Sequence, residues 1–328
     1  MGKTILTLPI LGLLLLGVTA PVRADESGVV RFATLPPDGP GHPEGIAADS
    51  KGNIYVASFE FSEPNVIYIF RSNGHLQDTI PLSGAIPLGM AFDGVGKLYV
   101  ADFGNGTVLQ FSPPFSHSSA PSKIISVCGG AGAGCGLNAI TFDGTGNLYV
   151  SDSFGGNIFK VVLPAGTVSL FINHDLLTPG AHGFPPFGAN GLAFSADGQT
   201  LFVANTADDR ILKINVSVSP PTVSSFAESI NGADGILFDR QGRLWVAANQ
   251  ADEIVALNAD GRIVERRGSF GGIGPDGAPK GLLFPASIVL SNGNLYVTNL
   301  ALALTGGPSE PEADVTTFTV SRIPLAGH

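Results

Sequence analysis

The sequence predicts an all-β chain folded as a six-bladed β-propeller, and three observations carry that prediction. Gly and Pro are abundant, at 44 and 24 of 328 residues. No long amphipathic helical pattern follows the N-terminal apolar stretch, which points to many short strands joined by turns. A unit of apolar strand, Gly turn and second apolar strand recurs six times, with turn glycines roughly 44 to 52 residues apart, a spacing that suits propeller blades.

The inner strands read GIAAD (45–49), GMAFD (89–93), AITFD (139–143), GLAFS (191–195), GILFD (235–239) and SIVLS (287–291). Each leads through a turn glycine, the first being Gly52 and the last Gly293, into IYVAS, LYVAD, LYVSD, LFVAN, LWVAA or LYVTN. Glycine supplies the positive φ that such a tight reversal needs. Third and fourth strands follow, as in "NVIYIFRSNGHLQDTI", so each unit is a four-stranded antiparallel meander. The sixth unit ends at "TTFTVSRI" without a fourth strand, and "GVVRFATL" (28–35) is expected to supply it, closing the ring and removing a free edge.

Ahead of the propeller, Lys3, an apolar run from Ile5 to Ala20 and the triplet Val22-Arg23-Ala24 read as a secretory leader over residues 1–24, too short for a membrane anchor. The expectation is a secreted or periplasmic protein with a single propeller domain over residues 25–328. The formal charge of −10 moves to about −12 once Lys3 and Arg23 are removed. Such a surface repels nucleic acid and anionic lipid, so neither is expected as a partner. Cys128 and Cys135, the only two cysteines, are expected to bridge in an oxidising compartment and pin the Gly-rich loop between them.

Antiparallel alternation places the entrance of every inner strand at the same end as the loop between its second and third strands. That face should gather residues 38–44, the Cys128–Cys135 loop, the long segment 172–189 and the acidic segment 301–315, the two long loops roofing the central opening. The residue before each inner strand is Glu44, Leu88, Asn138, Asn190, Asp234 or Ala286. Six-fold geometry brings these positions around one axis, and four of them carry oxygen. Each polar residue alone is explained by Asn and Asp favouring turns. Four in register suggest a cradle of Glu44, Asn138, Asn190 and Asp234 for a divalent cation, calcium best suiting two carboxylates and two amides.

Glu44-Gly45, Asn138, "NGLAFSADGQTLFVANT" and "DGILFDRQGRLWVA" resemble the senescence marker protein, gluconolactonase and luciferin-regenerating enzyme family over all six blades. The resemblance implies a six-bladed propeller with a catalytic divalent ion, usually calcium, held by a Glu, two Asn and an Asp, which match Glu44, Asn138, Asn190 and Asp234. Sugar-lactonase members commonly place an Arg two residues before the third-blade Asn and follow that Asn with Asp-Gly. Here Gly136 and Ala139-Ile140 stand instead, which argues against polyhydroxylated lactones. The blades are also similar to NHL repeats through "GNIYVAS" and "GNLYVSDSFGGNIFKV".

The resulting expectation is a calcium-dependent hydrolase of small-molecule lactones or esters, with the metal polarising the carbonyl and Asp234 acting as base. The alternative is a non-catalytic NHL-like propeller that binds a ligand or protein, with axial calcium as a structural pin. His42, His174 and His182 fall on the same face as secondary candidates for a base, and Asp152 as a carboxylate that either approaches the channel or caps a turn. Phe187 and "GFPPFG" either line an apolar pocket or anchor their loop. No Gly-x-Ser-x-Gly elbow, Walker loop or zincin helix is present.

Overall fold

The computed structural model describes residues 28–62, 64–129, 134–181, 183–305 and 310–325. The leader expected over residues 1–24, His182 and the middle of the Cys128–Cys135 loop lie outside the described residues. Among the described residues no helix is long and apolar enough to cross a membrane.

The six repeats fold as six four-stranded antiparallel sheets. Their inner strands are Pro43–Ala48, Pro87–Phe92, Leu137–Phe142, Ala189–Phe194, Ala233–Phe238 and Pro285–Ser291. Each inner strand packs on those of the two neighbouring blades, so the six close around one axis in chain order. The ring is sealed as expected: Val30–Thr34 pairs with Thr319–Pro324 and completes the sixth blade. A small hairpin that the repeat did not anticipate, Phe270–Ile273 with Pro279–Gly281, rises between the fifth and sixth blades. Its glycine-rich strands lack the apolar alternation that marks the others.

The turn signal works as the repeat suggests. Asp49 Oδ1 accepts from the backbone N–H groups of Lys51 and Asn53, each at 2.9 Å, and Gly52 takes φ +82°. The same capped turn recurs at Asp93, Asp143 and Asp239. Asp143 is partly buried, which pushes its carboxyl up, but hydrogen bonds from Asn147 and Thr145 outweigh burial and hold it down at about 2.

Blade-to-blade packing is also written in the repeat. In the first four blades the aromatic residue of the second strand packs edge-on against the Phe near the end of the next blade's inner strand. Tyr55 meets Phe92 at 5.0 Å, Tyr99 meets Phe142 at 5.4 Å, Tyr149 meets Phe194 at 5.0 Å and Phe202 meets Phe238 at 5.1 Å. Such pairs add specificity to the apolar area they bury. Trp245 holds the equivalent place in the fifth blade, fully buried with Nε1 donating to Asp239 at 2.9 Å, so it is a packing residue. Within the sixth blade Phe32 of the closing strand packs on Tyr296 at 4.7 Å, and the Phe32 ring also meets Phe70 of the first blade at 6.3 Å.

Candidate active site

The six axial residues begin not one position ahead of their strands, as the repeat suggested, but as the second residue of each. Every inner strand carries a register shift at this point: two residues lie between Pro43 and Ile46 where only one lies between their partners Ser58 and Val56. Equivalent bulges hold Leu88, Asn138, Asn190, Asp234 and Ala286. The sequence's alternation breaks here because a bulge adds a residue and re-aims a side chain without ending the strand. In four of the six blades the residue that follows is a glycine, Gly45, Gly89, Gly191 or Gly235, which permits the axial packing. A Cβ on Gly191 would stand 2.1 Å from the Asp234 carbonyl oxygen, and one on Gly45 would stand 2.0 Å from that of Leu88.

Glu44, Asn138, Asn190 and Asp234 all line one cavity of about 90 Å³. Each is 5 % exposed or less. In ring order Ala286 separates Asp234 from Glu44, so the two carboxylates stand two blades apart rather than directly across the axis. Burial, and next the Asp234 carboxylate, raise the Glu44 carboxyl well above the usual range. Burial likewise pushes Asp234 up to about 7, against the downward pull of hydrogen bonds from Asn249 and Asn190. Desolvation opposes charge on either group, and two nearby charges would repel.

A second tier of residues, missed by the reading of the axial positions, stands just past the second strand of each blade: Phe59, Phe103, Ser153, Thr206, Asn249 and Leu300. Asn249 Nδ2 donates to Asp234 Oδ2 at 3.0 Å. Thr206 Oγ1 accepts from Asn190 Nδ2 at 3.0 Å and donates to the Ala233 carbonyl at 2.7 Å. These contacts fix the rotamers of two axial side chains. The signal for them was available in the repeat, one residue beyond each LYVAD-like strand.

After these bonds, Glu44 Oε2 and Asp234 Oδ1 remain buried with no hydrogen-bond partner among the described residues. Two orphaned carboxylate oxygens beside two amides form a donor set that fits a hard divalent cation, since buried acceptors without a partner are costly. Among the described residues no group of three or more His, Cys, Asp and Glu converges, the remaining oxygens here being amides.

Both long loops reach the cavity as expected: Pro185 and Phe187 come from one, Leu302 and Leu304 from the other. Cys128 and Cys135 are bridged. The secondary candidates fare differently. Asp152 caps its turn, accepting from the N–H groups of Gly136, Phe154 and Gly155 at 2.9, 3.1 and 3.2 Å. The His42 ring lies outside the cavity lining, with Nδ1 3.2 Å from the Leu300 carbonyl oxygen and its ring edge-on to Phe318. His174 caps a short 3₁₀ turn, its Nδ1 accepting from Leu176 N–H.

Residues 186–267 match the family described as the SMP-30/Gluconolactonase/LRE-like region. No curated protein sequence matches the chain. Among solved structures, a luciferin-regenerating enzyme is 16% identical with a TM-score of 0.67, over 91% of this chain and 95% of that one. A gluconolactonase from Xanthomonas campestris is 16% identical with a TM-score of 0.65, over 90% and 89%. The calcium-binding protein regucalcin from Agrobacterium tumefaciens is 14% identical with a TM-score of 0.60, over 90% and 95%. The matched segment holds Asn190, Thr206, Asp234 and Asn249, and the chain is thus a six-bladed propeller that resembles the SMP-30, gluconolactonase and luciferin-regenerating enzyme family.

Proposed function

We propose that the protein is a divalent-metal-dependent hydrolase of the lactonase or esterase type, with calcium as the metal and Asp234 as the base. The observation that carries this reading is the pair of orphaned, buried oxygens on Glu44 and Asp234, set among Asn138 and Asn190 at the floor of a cavity. The family resemblance supports a lactonase-type hydrolase. A secretory leader over residues 1–24 would deliver the chain to a secreted or periplasmic compartment, in keeping with the Cys128–Cys135 bridge.

Glu44, Asn138, Asn190 and Asp234 would hold the ion. When bound, the ion would supply Lewis-acid polarisation of the substrate carbonyl and offset developing negative charge. The chain's own residues then have distinct tasks. Asn249 fixes the Asp234 carboxylate through Oδ2, which leaves Oδ1 to take the proton of an attacking water. Thr206 orients the Asn190 amide. The apolar loops exclude bulk water from the carboxylates.

The test is hydrolysis of a panel of lactones and aryl esters by the purified protein, before and after chelation, with calcium added back. The expected result is activity that vanishes with chelator and returns with calcium. Calcium-dependent thermal stability without turnover on any substrate would favour the non-catalytic propeller with a structural ion.

A further inference from the structure

Around the cavity mouth, the second tier divides by chemistry and by position. Blades four and five contribute Thr206 and Asn249 to the lining, whereas blades six, one and two contribute Leu300, Phe59 and Phe103; Ser153 of blade three is buried outside the lining, its hydroxyl donating to the Ala189 carbonyl at 2.8 Å. The split continues outward. Phe284, Leu302 and Leu304 of the sixth blade and Ile86 of the second join Phe59 and Leu88 in one apolar cluster. Phe61 stands 71 % exposed at the rim, its ring centroid 5.5 Å from that of Phe59. Phe187 stacks on Phe154 at 5.8 Å, and both rings stand beside Phe103, 6.5 and 5.5 Å from it. Among the described residues no Lys, Arg, His, Ser or Tyr lines this cavity.

Outside the axial quartet, the polar side chains of the lining are already engaged. The Thr206 hydroxyl both accepts and donates, and Asn249 Oδ1 accepts from Gln250 Nε2 at 3.2 Å while its Nδ2 serves Asp234. A side chain at Gly136 would have to displace an aromatic ring, because a Cβ there would stand 2.8 Å from the Phe154 ring and 3.0 Å from that of Phe103. A polyhydroxylated ring would therefore bury hydroxyls against Phe59, Phe103 and Leu300 without partners, and each such loss weakens binding roughly ten- to hundredfold.

We infer that this site selects lactones or esters with an apolar body: the carbonyl lies toward blades three to five, and an alkyl or aryl substituent lies on the wall formed by blades six, one and two. The inference rests on the hydrolase reading for the reacting group and on the apolar half-ring for the substituent. An exposed aromatic rim over buried polar groups is the arrangement expected of a small-molecule site rather than of a solvated channel.

The experiment is calorimetric binding of hydrolysis-resistant probes, δ-valerolactam and its 6-propyl and 6-pentyl derivatives, to the whole protein in calcium-containing buffer. Affinity should climb by up to about fourfold per buried methylene. The climb should flatten in Leu304→Ser and in Phe61→Ser, the second of which alters a side chain too exposed to matter for folding. Equal affinity along the series, or tighter binding of a polyhydroxylated lactam, would overturn the inference. Turnover of the matching lactones is read separately. Tail-dependent binding without hydrolysis defeats the hydrolase reading and leaves the apolar site standing, whereas hydrolysis that favours gluconolactone over alkyl lactones does the reverse.

Discussion

Asn249 donates its side-chain amide to Oδ2 of Asp234 at 3.0 Å, leaving Oδ1 of the same carboxylate buried and unpartnered. One oxygen is thus fixed and the other is available, which is what a base or a metal ligand requires. Replacing Asn249 by Ala should leave the propeller folded but free the carboxylate to rotate. We expect a loss of roughly 10- to 100-fold in calcium affinity or activity, read as the calcium midpoint in thermal shift beside lactone turnover. An unchanged midpoint together with unchanged turnover would remove Asn249 from the site.

Asp234→Asn keeps shape and removes charge. If Asp234 is the base, kcat should fall about 10²- to 10⁴-fold, and the calcium-induced rise in Tm should shrink. The metal-free variant should be no less stable than the metal-free parent, because an uncompensated buried carboxylate has been replaced by a neutral amide. Parental turnover in Asp234→Asn would rule out its role as base.

Stability of the metal-free protein should depend on pH in an unusual direction. Burial raises Asp234 from the ordinary 3.8 to about 7, so between those values the folded chain binds more protons than the unfolded one. Its stability contribution is then greatest at the acidic end and is lost as pH rises through the folded value. Glu44 shifts in the same direction. Scanning Tm in chelator from pH 5 to 7.5 should show a decline attributable to this pair. In calcium the decline should disappear, the cation taking the place of the proton, and a decline of equal size with calcium present would refute the link.

Cys128 and Cys135 close a loop seven residues apart beside Gly136. The double variant Cys128→Ser, Cys135→Ser should lose about 2 to 3 kcal/mol by loop-entropy arithmetic. Denaturant unfolding with and without reductant measures this directly. A reductant effect that persists in the double variant would point elsewhere.

Ring closure gives a further test. Val30–Thr34 covers the edge of Thr319–Pro324, and Phe32 packs on Tyr296. Deleting the chain through Thr34 should expose that edge and drive association visible by size-exclusion chromatography. A monomeric product with native Tm would show that the sixth blade is stable with three strands.

The sequence alone was enough for the blade count, the closing strand and the membership of the axial quartet. Those features depend on local chemistry repeated six times, an Asp-capped Gly turn between apolar strands and one aromatic residue per blade for its neighbour. Tertiary structure alone decided what faced the quartet. Asn249 and Asp234 are fifteen residues apart and meet only because a bulge turns one side chain toward the axis while the next strand's end brings the other beside it. Phe59, Phe103 and Leu300 read as unremarkable apolar residues until the ring places them on one side of the mouth. The Gly-rich hairpin at 270–281 carried no periodic signal, since its strands are defined by backbone pairing rather than by a buried face. Local pattern fixes which strands form, whereas the convergence of distant side chains, and hence the burial that raises Asp234 and Glu44, exists only once the sixth blade has met the first.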